Sequence, residues 1–210
     1  MIAQWSCPYT VFADWMADAA AISTEPNAMT LATVDGSGRP SARMVLLKEM
    51  KHGAGFVFFT NYSSRKASEL ESNPNVALVF YWDELKRSIR VEGKATKVPE
   101  AESEAYFRSR PKASQIGSAV SPQSQLVPSR DWLWERNDEF EKQEQIDMPN
   151  WGGYLVEPEW IEFWQGQSNR LHDRVVFTQG AFDREKAMSE FSEGEIVQLE
   201  MGWSRSRLAP

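Results

Sequence analysis

The run MTLATVDGSGRPSARMVLLK, Met29 to Lys48, reads as a β-hairpin. Met29 to Val34 is strand-like, Asp35 to Gly38 (DGSG) is a turn signal, and Arg39 to Lys48 is a second strand. Outward from it, Phe56 to Thr60, Val76 to Trp82 and Ser88 to Val98 continue the strand series. Trp151 to Glu157, Trp160 to Trp164 and Asp173 to Thr178 resume it, with a weaker strand near Ile196 to Met201. Helical patterns interrupt the strands. Pro8 to Ala20 places Val11, Phe12, Trp15, Met16 and Ala19 on one face. Ser64 to Asn73 has a serine cap and a stop at Asn73-Pro74, and Pro99 to Arg110 has proline and acids at its start and arginines at its end. Asp131 to Gln145 is a further helix. Short antiparallel strands with a few helices predict an α+β, mainly β chain whose strands form a closed or partly closed barrel flanked by helices. One domain over residues 1–210 is expected, with residues 1–25 as an N-terminal helical segment.

Composition narrows the function. The 210 residues carry 41% hydrophobic and 25% charged residues, the balance of a folded protein and not of a disordered one. A formal charge of −7 argues against a nucleic-acid surface. No apolar run approaches the roughly 20 residues that span a bilayer, so no membrane partner is expected. The opening MIAQWSCPYT has neither a basic start nor an apolar core, unlike a signal peptide. With a single cysteine, Cys7, this predicts a cytoplasmic protein. Two histidines without ligand spacing predict no metal site. P-loop, GxGxxG and nucleophile-elbow patterns are absent from the sequence.

Four basic clusters remain. Arg65 and Lys66 fall in the first turn of a helix, where the dipole disfavours cations unless an anion is bound; a solvated pair is the alternative. Alternation along Arg43 to Lys48 sends Arg43 and Lys48 to opposite faces of the strand. Tyr106 and Arg110 share a helix face at i, i+4, with Ser114 in the next turn, a set that suits a phosphate monoester or merely ends a surface helix. Arg170, His172 and Arg174 would share one face of an extended segment. There His172, near Glu162 and Asp173, could act as a base or as a hydrogen-bond donor.

Read together, the motifs RMVLLK (Arg43–Lys48), FFTNYSSRK (Phe59 in its second position, through Lys66), YFRSRPKASQIG (Tyr106–Gly117), SPQSQ (Ser121–Gln125), WGGY (Trp151–Tyr154), EFWQGQSNRLHDR (Glu162–Arg174) and terminal RLAP (Arg207–Pro210) resemble the pyridoxine/pyridoxamine 5′-phosphate oxidases. The resemblance extends from about Pro8 to Pro210. It implies an FMN-binding split β-barrel homodimer with two sites at the subunit interface. It further implies that FMN is held by Arg43, Lys66, Gln123 and Ser124, with Thr60 and Arg65 beside them. The remaining cofactor contacts would come from Met44, Val45, Leu46, Leu47, Lys48, Phe59 and Ser88, and from Trp164 and Arg174 at the flavin border. Lys48, Tyr106, Arg110 and Ser114 would take the substrate phosphate. Arg170 and His172, the catalytic pair, would lie with Leu171 against the pyridine ring. The implied reaction is oxidation of pyridoxamine or pyridoxine 5′-phosphate by O2 to pyridoxal 5′-phosphate, with hydrogen peroxide released.

One position departs from the pattern: Ser88, in KRSIRVEG, stands where the family usually has glutamine. Other readings of the same residues explain less. A binding module without turnover does not need Arg170 and His172. A nicotinamide-dependent flavin reductase leaves Tyr106 and Arg110 without a task, and a tryptophan-rich carbohydrate module does not need the arginines.

Overall fold

The structure is a computed structural model, and it describes residues 5–180 and 196–210. Residues 1–4 of the expected N-terminal segment lie outside the described residues. Helix α1 (Pro8–Ala20) precedes the hairpin β1 (Ala28–Val34) and β2 (Pro40–Leu46), followed by β3 (Glu49–Lys51), β4 (Gly55–Asn61) and helix α2 (Arg65–Ser72). Strands β5 (Asn75–Trp82) and β6 (Arg87–Lys97) lead to helices α3 (Glu100–Ser109), α4 (Lys112–Val120) and α5 (Arg130–Glu141). The chain then forms β7 (Trp151–Gln165), β8 (Asp173–Gln179), β9 (Val197–Gln198), a short 3-10 turn (Glu200–Gly202) and β10 (Trp203–Leu208).

The hairpin forms as its turn chemistry requires. Asp35 accepts hydrogen bonds from the backbone N–H groups of Ser37 and Arg39, at 2.9 and 3.0 Å. All strand pairings are antiparallel, and the sheet runs β2-β1-β5-β6-β7-β8-β10-β9, while β4 pairs with β3 and β7. The two strands expected at Trp151–Glu157 and Trp160–Trp164 are one strand, β7. It continues through Pro158 because β7 itself bulges there: Glu92 and Gly93 of β6 face Trp160 and Pro158, which leaves Glu159 as the extra residue. A side chain at Gly93 would sit 2.0 Å from the carbonyl oxygen of Glu157, so only glycine allows this approach. The first half of β7 lies between β4 and β6, and the second half between β6 and β8. This change of partner splits the barrel.

Leu31, Leu78, Val91 and Ile161 lie opposite one another across successive strands and point inward, each with 0% exposure. Helix α1 closes one end, wedging Phe12 edge-on against Phe56 and Phe80 at 4.9 and 5.2 Å. Phe107, Ile116, Val120, Ile146 and Trp151 make a second, smaller core where α3 and α4 meet β7. Helix α4 had no counterpart in the sequence reading. The C-terminal strand expected near Ile196–Met201 reduces to β9 and the 3-10 turn, and the longer strand is β10, which needs β8 as its partner.

The outer sheet face is unlike the inner one. Met44, Thr30, Val79, Arg90 and Glu162 form one row across five strands, and Tyr81, Ser88, Trp164 and Arg174 form the next. Met44 and Tyr81 are 63% and 58% exposed, so this face carries large side chains without a cover. Among the described residues, no helix is long and apolar enough to cross a membrane.

Candidate active site

Strand β2 ends the sheet: β1 pairs with one of its edges, and among the described residues no strand ladder covers the other. Past its end, the Lys48 N–H donates to the Val57 carbonyl of β4 at 2.9 Å. Between the two strands the barrel stays open, and a cavity of about 650 Å³ occupies the gap. Its walls are Arg43, Met44, Val45, Leu46 and Lys48 on one side, Phe59 and Thr60 of β4 on another, and Lys66 of α2 at one end. Tyr106, Arg110, Pro111, Ser114 and Ser118 of the α3–α4 corner close the other end with Trp151, while Gln123 joins Lys66 at the first. The volume suits an organic ligand of cofactor size, and the open edge of β2 offers main-chain donors and acceptors to it.

The α2 end is an anion cradle. Lys66 is 8% exposed, and its Nζ donates to Gln123 Oε1 at 2.8 Å, Thr60 Oγ1 at 3.1 Å and Ser64 Oγ at 3.3 Å. All three acceptors are neutral. Burial, then the neighbouring Arg43, hold this ammonium down to about 8 against the opposing pull of Glu69. Ser64 thus serves Lys66 and makes no side-chain cap on α2. Arg43 donates through Nη2 to Glu69 at 2.9 Å and through Nη1 to the Leu31 carbonyl at 3.3 Å and to Thr33 Oγ1. Burial alone would raise the Glu69 carboxyl, but hydrogen bonds from Thr33, Arg65 and Arg43 outweigh it and leave the group lowered.

The other end is a second cationic pole. Tyr106 stacks on Phe59 at 4.1 Å between centroids, and Phe59 stacks on Trp151 at 5.1 Å. The Arg110 guanidinium lies 4.8 Å over the Trp151 ring and donates to Ser118 Oγ at 2.9 Å and to the Ser114 carbonyl at 3.0 Å. Burial lowers its pKa, a desolvation cost that an incoming anion would relieve. Lys48 lines the same cavity as Arg43, which corrects the alternation argument: β2 stops at Leu46, so Lys48 no longer follows the strand's two-residue period.

Several expected site residues lie elsewhere. Leu47 is 7% exposed and belongs to the main core. Arg65 lines an open groove with Asp35 and Arg39, outside the cavity. Ser124 adjoins Gln123 in a turn with φ of 72° and is exposed. Ser88, Trp164 and Arg174 sit on the outer sheet face, where Ser88 and Trp164 line a separate hollow of about 340 Å³ with Val79, Tyr81, Arg90 and Glu162.

Arg170, Leu171 and His172 are not on an extended segment as alternation suggested. They occupy the turn before β8, with Arg170 at φ of 63° and Leu171 66% exposed. His172 packs 4.8 Å from Trp164, and its Nδ1 accepts the Gln167 N–H at 3.0 Å, so the proton of the neutral ring is on Nε2. The two neighbouring carboxylates are engaged by arginines: Glu162 by Arg174 at 2.6 Å and Arg90 at 2.8 Å, and Asp173 by Arg207. Glu69, Thr33, Ser118 and Arg90 were missed by sequence reasoning, and Glu162, expected beside His172, is bonded to Arg174 and Arg90 instead. Only Glu69, at i+4 from Arg65, carried a local signal.

A split antiparallel barrel with a two-pole cationic cavity in its gap, and a second set of polar and aromatic residues on its uncovered face, defines a protein built to hold an anionic ligand of cofactor size. The comparisons with known proteins agree. The family described as pyridoxamine 5′-phosphate oxidase matches residues 16–144, and the pyridoxine 5′-phosphate oxidase C-terminal dimerisation region matches residues 151–210. Pyridoxine-5′-phosphate oxidase of Bos taurus is 47% identical over 97% of this chain and 78% of its own length. The pyridoxine/pyridoxamine 5′-phosphate oxidase of Leptospira interrogans is 54% identical over 82% of each chain. Among solved structures, PhzG from Burkholderia lata, in complex with tetrahydrophenazine-1-carboxylic acid, superposes with a TM-score of 0.84 at 27% identity, over 99% of this chain and 94% of that one. The chain belongs to the pyridoxine/pyridoxamine 5′-phosphate oxidase family.

Proposed function

We infer that this chain is an FMN-dependent oxidase that converts pyridoxamine 5′-phosphate and pyridoxine 5′-phosphate to pyridoxal 5′-phosphate, in vitamin B6 salvage in the cytoplasm. The observation that carries the reading is the pair of cationic poles in one cavity, above all the buried Lys66 ammonium bonded only to neutral oxygens. Such a group favours a phosphate, which supplies the missing charge. FMN fits the α2 pole, with its phosphate on Lys66, Arg43, Thr60 and Gln123. The substrate phosphate fits Lys48, Tyr106, Arg110 and Ser114.

The enzyme is a homodimer, and the second copy completes each site. In one chain, Trp164, Arg170, His172 and Arg174 are absent from the cavity lining, while the outer face that carries Trp164 and Arg174 is uncovered. A partner docked on that face brings Trp164 and Arg174 to the flavin border, and Arg170, Leu171 and His172 to the pyridine ring.

Held by Lys66, Arg43, Thr60 and Gln123, FMN would supply two-electron oxidation of the substrate C–H bond, with O2 as the final acceptor and hydrogen peroxide as its product. The chain's own residues bind and orient. Two phosphate anchors at a fixed separation, one for the cofactor and one for the substrate, hold the two in one relative pose, which removes the entropy cost of alignment from the chemical step. Trp164 excludes water from the reacting face. His172 presents Nε2–H as a donor, and with no carboxylate paired to its ring among the described residues it orients the substrate more than it withdraws a proton. With the amine substrate, water then adds to the oxidised carbon and ammonia leaves.

Purified protein tests this directly. A yellow dimer that consumes oxygen with pyridoxamine 5′-phosphate, and far less with unphosphorylated pyridoxamine, is expected. Colourless protein that ignores added FMN, or equal turnover of both amines, overturns the reading.

A further inference from the structure

Behind the α2 pole lies a carboxylate that the binding scheme does not use. Glu69 is 4% exposed, is paired with Arg43 and Arg65, and acts by charge on Lys66, yet it lines the groove on the Arg65 side and not the cavity itself. Charge alone would make it a liability there. Its contacts suggest another task. Oε2 accepts from Arg43 Nη2 at 2.9 Å and from Thr33 Oγ1, while Oε1 accepts from Arg65 Nε at 2.8 Å. Thr33 is 0% exposed, and its hydroxyl also accepts from Arg43 Nη1, so Arg43, Thr33 and Glu69 close a hydrogen-bonded ring. Of the five guanidinium N–H groups, three are taken by Leu31, Thr33 and Glu69, which leaves Nε–H and one Nη2–H for a ligand in the cavity that Arg43 lines. A long, flexible side chain repelled by Lys66 would otherwise have many orientations.

We propose that Glu69 is a positioning residue: through the Arg43–Thr33–Glu69 ring it aims the two remaining Arg43 donors at the FMN phosphate. This rests on the α2 pole being the FMN phosphate site. The geometry also sets a charge balance. Arg43, Arg65 and Lys66 against Glu69 leave a net of two positive charges, which matches a phosphate dianion.

The test uses the full chain stripped of flavin and titrated with FMN and with riboflavin, which lacks the phosphate. Glu69→Gln removes the charge at nearly constant shape. It is expected to raise the FMN dissociation constant about tenfold, in line with loss of a charge-assisted contact, and to leave riboflavin within about twofold. The phosphorus NMR line of bound FMN should move as well. Unchanged or tighter FMN binding in Glu69→Gln, with Arg43→Ala still losing FMN, overturns the positioning role and leaves the phosphate site standing. Equal losses for FMN and riboflavin also overturn it, because they mark a purely structural role. Wild-type protein that binds riboflavin as tightly as FMN removes both readings. If Glu69→Gln fails to fold by circular dichroism, Thr33→Val is measured in its place: it breaks the ring without changing charge, and selective weakening of FMN is again expected, with no selectivity overturning the proposal.

Discussion

Lys66 Nζ donates to Gln123 Oε1 across 2.8 Å, joining side chains 57 positions apart. The contact ties the first turn of α2 to the loop after α4 and closes one end of the cavity with an ammonium bonded only to neutral oxygens. The ionisation of Lys66 therefore governs how that end receives an anion.

With Lys66 held at about 8, its protonated fraction in flavin-free protein falls as pH rises through that value. A phosphate dianion binds the protonated form, so FMN binding takes up a proton. Between pH 8 and 9 the FMN dissociation constant should rise roughly fivefold, by linkage. Riboflavin should show no such rise, and Lys66→Arg should flatten the FMN profile. Fluorescence titration across this range checks it, and a flat wild-type profile contradicts it. Flavin-free stability has the opposite sign: the unfolded chain holds the Lys66 proton more tightly, so stability should increase as pH rises from about 8 towards 10.5.

At the other pole, Arg110 is held by Ser118, the Ser114 carbonyl and the Trp151 ring. Arg110→Ala should raise KM for pyridoxamine 5′-phosphate about 10-fold to 100-fold, the worth of a charge-assisted phosphate contact. Flavin content should stay near wild type. Steady-state kinetics with an absorbance spectrum separates the two, and loss of flavin with an unchanged KM would reverse the assignment of the poles.

Arg170→Ala should lose most of its turnover while retaining FMN. Composite sites add a sharper consequence. Arg110→Ala and Arg170→Ala chains, each nearly inactive at low substrate, should regain activity when unfolded together and refolded. A mixed dimer has one site built from two intact halves, so random pairing restores about a quarter of wild-type activity. If both residues served the same subunit's site, mixing would restore nothing.

Ser88 Oγ donates to the Phe80 carbonyl at 3.0 Å, within its own pair of strands, beside a hollow of about 340 Å³. Ser88→Gln supplies a longer amide on the outer face next to Trp164 and should tighten FMN binding several-fold, as expected for one added hydrogen bond. Unchanged or weaker binding by fluorescence titration would show that Ser88 does not face the flavin.

Local physics made much of this protein readable in one dimension. The hairpin was legible because Asp35 and the residues after it form their turn with no outside help. Helix α1 was legible because its apolar spacing is the spacing of one helical face. The long motifs also named the residues of both poles. Tertiary structure alone decided which of them meet. Arg43 and Lys48 share a cavity because β2 ends at Leu46, β7 survives Pro158 because it bulges at Glu159, and Arg43 is held by a glutamate 26 positions away. Arg170 and His172 turned out to occupy a turn, where alternation has no meaning. Turn chemistry and helix periodicity act between neighbours in the chain, so the sequence states them directly. A gap between two strands, and the partners of a buried charge, depend on pairings between distant segments, and only the folded chain brings those together.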